Sequence, residues 1–429
     1  MGIHFMGKPP FKRVLLAGMV TDENGDKMSK VKGNVIDPLD LIHGASLEQL
    51  VDKAKKSGAS ESGLKHIAKA HPEGFAAYGS DAVRYTLLSY SPQSRRIALS
   101  VKRIEGYRNF CNKLWNAARY AMLQLEGKGA VATGVRPPAT LLINRWILSR
   151  LDAALGTAEQ GLTAYRLDDA TLALYHFVWN ELCDWYLELT KPLLAGSDEA
   201  AASETRAVLV HVLETVLRAL HPMMPFLTEE IWQRVPKLAQ LATHGEASAT
   251  TSVPVACAVA SYPEAGREGA PDATAEREMA WLTGVIGAVR TMRSEHDIAP
   301  KKPLAVTLRT DDADKRALFR REQAAVEVLC NATLCLEASD AAPLEHAATA
   351  VAEGVTILVP LTGLVDVEKE KERVTRELAK VEKDLAVLEK KLSSESFVAR
   401  APAAVIAKDR ERHAELETAR GKLREALAR

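Results

Sequence analysis

The sequence predicts a mainly α protein, with a mixed N-terminal segment, a helical bundle, a small α/β unit and an antiparallel coiled-coil arm. Three observations predict it. From Ser80 to about residue 240, apolar residues recur at three- and four-residue spacing with short breaks, the pattern of packed amphipathic helices. From Val367, the residues Val374, Leu378, Val381, Leu385, Leu388 and Leu392 step by seven, four, three, four, three and four, an apolar heptad seam with charges between. Near the N-terminus, a strand Val14–Val20 and the turn Asp22-Glu23-Asn24-Gly25-Asp26 lead into the basic string Lys27-Met28-Ser29-Lys30-Val31-Lys32-Gly33-Asn34.

Residues 1–78 read as mixed structure. Asn24-Gly25 offers the positive φ angles of a tight turn, and Pro38 drives the residue before it into extended geometry. A helix follows from Ser46, with Leu47, Leu50, Val51 and Ala54 on one side. His66 and His71 flank a short helical piece, and their five-residue separation keeps them off a single helix face, which argues against a metal pair.

Residues 79–240 form the bundle. Ser80 and Ser100 are expected N-caps for helices Asp81–Tyr90 and Val101–Leu125. Gly127–Pro138 reads as a loop, followed by helices over Leu141–Gln160, Leu167–Leu189 and Ala200–Leu220. Pro222 and Pro225 break the chain before Thr228-Glu229-Glu230-Ile231-Trp232, whose acids suit a first helical turn. Residues 241–363 comprise an Ala/Thr/Gly/Pro-rich linker and a small α/β unit. The unit holds helix Glu276–Glu295, strand Leu304–Arg309, helix Ala313–Leu329, and strands near Ala332–Leu336 and Val355–Val359. Residues 364–429 form the arm. Ser393–Pro402 interrupts the heptads before a second helix with Ile406, Leu416, Leu423 and Leu427. A proline inside one rod would cost about 3 kcal/mol, so a hairpin is expected.

At 429 residues the chain suits two to four domains, and its 26 % charged residues balance to zero, so any nucleic-acid surface must be local. No run of eighteen apolar residues and no basic-then-apolar leader are visible, so a soluble cytoplasmic protein without membrane contact is expected. Five scattered cysteines suit reduced thiols, and Cys330 and Cys335 read as core residues with no metal site at zinc spacing.

Two constellations carry chemistry. Lysines in a loop suit the β and γ phosphates of a nucleoside triphosphate, where negative charge grows as the α phosphate is attacked. The bland alternative is a solvated basic turn. Arg95–Arg119 holds seven basic residues against the single acid Glu105, interleaved with Tyr107, Phe110 and Trp115. That mixture suits a single-stranded RNA loop, read by stacking and phosphate contacts. The alternative is an amphipathic helix with a buried aromatic stripe, and Phe110, Leu114 and Trp115 are core in either case.

Lys27-Met28-Ser29-Lys30 resembles the Lys-Met-Ser-Lys-Ser signature of class I aminoacyl-tRNA synthetases, with Val31 replacing the final serine. Ile104–Asn116, Trp179–Pro192 and His221–Trp232 resemble the anticodon-binding helices of valyl-tRNA synthetases, and the terminal heptads resemble the tRNA-contacting arm of that family. The resemblance implies the C-terminal end of a Rossmann-like class I catalytic fold over residues 1–78. It implies that Lys27, Met28, Ser29 and Lys30 bind ATP, with Lys27 and Lys30 acting in amino-acid activation and Lys30 the stronger candidate. Magnesium would arrive with the nucleotide. It further implies that Arg103, Arg108, Asn109 and Lys113 contact the tRNA, that valine is the amino acid, and that the protein is a monomer.

A class I enzyme also needs a His-Ile-Gly-His type string, and the sequence contains none. The expectation is therefore the C-terminal half of a valine–tRNA ligase, inactive without an N-terminal half. A non-catalytic tRNA-binding protein of the same descent is the alternative, and a scaffold that oligomerises through its coiled coil is a third.

Overall fold

The computed structural model describes residues 2–91, 93–126, 136–234, 256–266, 271–362, 364, 367–393, 412, 413, 416, 417, 420 and 421, with the backbone alone for 367–374 and 377. The described chain is mainly helical. It divides into two compact units, Met1–Glu276 and Arg277–Arg429. No described helix is long and apolar enough to cross a membrane.

The first unit opens with the short helix α1 (Gly2–Met6) and strand β1 (Met19–Thr21), which pairs in parallel with β2 (Arg96–Ala98), Val20 opposite Ile97. The strand expected over Val14–Val20 is confined to its last two residues and Thr21. Val14, Leu15 and Leu16 are exposed, because three-residue β2 is the one described strand alongside and covers nothing further. Helices α2 (Pro38–His43), α3 (Leu47–Lys56) and α4 (Glu61–Ala70) follow. Asp37 is extended as the following proline demands, and its carboxylate accepts from Leu39 N to cap α2. Ser46 and Gln49 form a reciprocal capping box on α3.

The bundle comprises α5 (Ser80–Leu88), α6 (Val101–Leu125), α7 (Leu142–Thr163), α8 (Leu167–His176), α9 (Leu187–Ala195), α10 (Glu199–Leu220) and α11 (Pro225–Arg234). Its core includes Tyr85, Phe110, Leu114, Ile147, Leu174, Phe177 and Tyr186. Between α8 and α9 the helix continues with wide i→i+5 turns over Phe177–Tyr186, and it runs on past the expected Leu189 to Ala195 with Pro192 inside.

The caps differ from expectation. Ser80 is the first residue of α5 rather than its cap, which falls on Gly79. Ser100 occupies the cap position of α6 but its hydroxyl bonds nothing there; Glu23 Oε1 accepts from Val101 N at 2.9 Å instead. Helix α11 begins at Pro225, so Glu229 and Glu230 lie beyond its first turn. Its orphan amides are met by Asp81, which accepts from Phe226 N at 3.3 Å and Leu227 N at 2.6 Å.

The second unit holds the part of α12 (Ala273–Glu295) from Arg277 onward and a four-stranded sheet in the order β4-β3-β6-β5. Strand β3 (Leu304–Arg309) runs parallel to β4 (Ala332–Glu337), joined by helices α13 (Ala313–Arg321) and α14 (Gln323–Cys330). The single helix expected over Ala313–Leu329 is thus broken at Glu322. Strand β5 (Ala347–Ala352) forms a hairpin with β6 (Val355–Pro360) through Glu353-Gly354, both at positive φ. Cys330 is buried and its thiol is pushed up to about 11 by that burial. Cys335, expected in the core, is exposed, because strand alternation sends Leu334 inward and its neighbour out.

Helix α15 (Val367–Leu392) carries the heptad positions, with Leu385 buried. Residues 412, 413, 416, 417, 420 and 421 are helical and Leu416 is buried. Ile406, Leu423, Leu427 and the break at 394–402 lie outside the described residues, as do 127–135 of the expected loop and most of the expected linker.

Candidate functional site

Asn34 closes the basic loop on itself. Its Nδ2 donates to Asp22 Oδ2 at 2.8 Å and to the Lys27 carbonyl at 3.3 Å, while its Oδ1 accepts from Ser29 N at 2.8 Å. Asp22 Oδ1 in turn accepts from Asn24 N at 3.1 Å and Asp26 N at 2.8 Å. Gly25 takes positive φ in this turn, whereas Asn24 does not. Two buried side chains, Asp22 and Asn34, therefore tie together the backbone at Asn24, Asp26, Lys27 and Ser29. Burial opposes ionisation of Asp22, but the Asn34 amide and the two backbone N–H groups outweigh it and hold the carboxyl below its ordinary range.

A carboxyl lowered on folding stabilises the folded loop above its unfolded value, about 3.9, and the contribution is lost as pH falls through the folded value. The Ser29 amide NMR resonance should hence stay put from neutral pH down to about 5 and move below about 4. Asn34→Ala should displace it at every pH and cost about 1–3 kcal/mol, since it leaves Asp22 Oδ2 without its amide.

The far side of the loop is fixed to α4. The Val31 carbonyl accepts from Ser60 N at 3.2 Å and Ser60 Oγ at 2.9 Å. The Val31 side chain itself is 61 % exposed, so the residue that departs from the family string is held by its backbone. Lys27, Lys30 and Lys32 are exposed; Met28 and Ser29 are half-buried. Lys30 also lines a cavity of about 560 Å³ between loop and helices, whose wall includes Gly33, Leu50, His66, Ile67, His71 and Phe75. Burial pushes the His71 imidazole below its ordinary range, with Glu23 opposing. Of the four string residues, Lys30 alone reaches this cavity.

The second candidate set does not form one face. Arg103, Arg108 and Lys113 are five residues apart, so each lies about 140° round α6 from the last. Arg103 Nη2 donates to the Ser89 carbonyl at 2.9 Å and its guanidinium lies 4.5 Å from the Tyr90 ring centre. Arg108 pairs with Glu105 at 3.3 Å and lies over Tyr78 at 5.6 Å. Lys113 pairs with Asp184 at 2.5 Å and sits 4.0 Å above the Trp179 ring. Asn109, one turn before Lys113, is exposed and continues a stripe of Lys102, Asn112, Asn116 and Arg119. Phe110 and Leu114 are core as expected. Trp115 is half-exposed, with the Arg234 guanidinium 4.7 Å from its ring.

Residue-by-residue reading did not single out the neighbouring aromatic platform. Trp179 stacks on Tyr175 at 5.6 Å and 24°, both half-exposed, across the start of the wide-turn segment. Their i, i+4 spacing was visible in the sequence, but nothing there told which side of the helix faces outward.

Residues 1–100 match the family model of class I tRNA synthetases (I, L, M and V). Residues 144–308 match the anticodon-binding domain of tRNA ligase, and residues 366–429 the valyl tRNA synthetase tRNA binding arm. The valine–tRNA ligase of Stenotrophomonas maltophilia (strain K279a) is 40 % identical over 433 residues, 99 % of this chain and 44 % of that one. The valine–tRNA ligase of Acinetobacter baylyi is 40 % identical over 441 residues, 100 % of this chain and 44 % of that one. The chain thus spans less than half the length of these curated relatives. A methionyl-tRNA synthetase structure from Mycobacterium tuberculosis covers 57 % of this chain and 43 % of its own at TM-score 0.35 and 19 % identity.

Proposed function

We propose, for a chain that resembles valine–tRNA ligases along its whole length, that it supplies the nucleotide loop and tRNA-contacting parts of ATP-dependent attachment of valine to its tRNA. The observation that carries this reading is the loop itself. The Asp22–Asn34 clasp fixes the backbone of Lys27–Lys30 and leaves both lysine side chains exposed. In this reading Lys27, Met28, Ser29 and Lys30 bind ATP, and Lys30 and Lys27 stabilise charge on the leaving pyrophosphate. ATP is a substrate and brings its own magnesium. Exposed Val31 in place of a serine should lower nucleotide affinity only modestly.

Residues 1–78 then end the catalytic domain, 79–240 bind the anticodon stem-loop, 241–363 hold the linker and small α/β unit, and 364–429 form a coiled-coil arm on the tRNA. Arg103, Arg108, Asn109 and Lys113 contact the RNA, with Trp179 and Tyr175 offering a base-stacking surface. The protein works as a cytoplasmic monomer. Because the sequence contains no His-Ile-Gly-His string, activation needs a polypeptide that carries one. The second reading is a tRNA-binding protein without catalysis.

One pair of measurements separates the readings. Filter binding to valine tRNA should fall steeply with added salt, and Trp179→Ala should weaken it about 10–100-fold. Valine-dependent pyrophosphate exchange should be absent for the chain alone. It should appear on adding a relative's N-terminal half and vanish again in Lys30→Ala. Tight tRNA binding with no exchange under either condition supports the binding module.

A further inference from the structure

Three potential metal donors meet near the end of α15. His413 Nε2 lies 3.5 Å from Glu389 Oε1, and one donor atom each from Glu389, His413 and Glu417 lies within 4.8 Å of the other two. His413 and Glu417 are four residues apart on helical backbone, so they project to one side. Glu389 comes from the other helical segment. Leu385, one turn before Glu389, and Leu416, beside Glu417, are buried, so apolar side chains flank the donors.

Bonds of about 2.0–2.1 Å from a tetrahedral ion place its ligand atoms roughly 3.4 Å apart, so small side-chain rotations close the set. Two carboxylates and an imidazole cancel the charge of a divalent cation. Without one, Glu389 and Glu417 oppose each other as like charges, relieved only in part by Arg420, whose Nη2 lies 2.5 Å from Glu417 Oε2. That arginine donates to Oε2 of Glu417, and a carboxylate can serve an arginine and an ion together. Imidazole with carboxylates suits zinc and its neighbours better than calcium or magnesium.

We propose that Glu389, His413 and Glu417 bind one divalent transition-metal ion of the zinc type, with water completing its shell, and that the ion staples the two helical segments. Spacing along one helix, which excluded His66 with His71, cannot reveal a site whose third ligand arrives from elsewhere in the chain.

The test is calorimetric titration of the full chain with Zn²⁺ in chelator-free buffer, with circular dichroism of the metal-free proteins alongside. One ion per chain is expected, with a rise in Tm on binding. His413→Ala should weaken binding tenfold or more and abolish the Tm rise, whereas His413→Cys, which keeps a donor, should retain both. Glu389→Gln, at an exposed position, should also weaken binding, and it decides the matter if the histidine variant loses helicity. Cys335→Ser, removing the exposed thiol, should change nothing. Equal affinity in the wild type, His413→Ala and Glu389→Gln, or no saturable binding, overturns the proposal.

Discussion

Arg293→Ala is expected to destabilise the Arg277–Arg429 unit by about 3–5 kcal/mol, read as a lower midpoint in urea. The guanidinium is almost wholly buried and serves four carbonyls. Nη1 donates to Ala299 at 2.9 Å and Lys302 at 2.7 Å; Nη2 donates to Cys330 at 2.8 Å and Asn331 at 3.4 Å. Truncation removes one donor from each of these oxygens in a region that water reaches poorly, although Ala299 keeps the Lys302 N–H at 2.9 Å. Asn331 sits there in the left-handed region, where its own carbonyl also accepts from Leu304 N to start the sheet. Arg293→Lys keeps the charge but not the fork and should recover less than half of the loss. A loss under about 1 kcal/mol in the alanine variant would mean that water replaces the guanidinium at little cost.

The second large effect belongs to Gly33. Its φ is +69°, and a Cβ there would stand 2.5 Å from the Gly63 carbonyl oxygen and 2.8 Å from its carbon. Gly33→Ala therefore combines a left-handed penalty of about 1 kcal/mol with forced separation of loop and helix, for about 2–4 kcal/mol in total. Gly25→Ala is the natural control. It shares a positive φ of 82° but would meet nothing within 4 Å, so about 1 kcal/mol is expected. Both losses are read as shifts in Tm, and tryptic cleavage at Lys27, Lys30 and Lys32 should accelerate mainly in the Gly33 variant. Equal losses in the two would show that the contact with Gly63 yields freely.

The long helices and the terminal heptad helix were legible because burial imposes its period on the residues directly. Helix α6 begins and ends where its apolar spacing does, and β3 matches its run of alternating residues. What stayed hidden depends on partners far along the chain. Ser100 looks like a cap by residue type, yet the acceptor for α6 comes from Glu23, some 78 positions earlier. Strand β5 is alanine-rich and weak in strand propensity, so it shows only through its pairing with β6. In the loop, the lysines were visible by identity. Asn34 was visible as part of the string, but its role as the clasp required knowing that Asp22 folds back to meet it.

Asp81 carries a consequence for the order in which the molecule assembles. Helix α11 has ten residues, too few to persist alone in water, and its first amides depend on a carboxylate 145 and 146 positions upstream. It cannot be an early nucleus. Closing so long a loop is entropically slow, so α11 should be among the last segments to acquire protection as the chain folds, and among the first to fray on unfolding. During synthesis, the bundle waits on residues 225–234 to emerge before Asp81 has anything to hold.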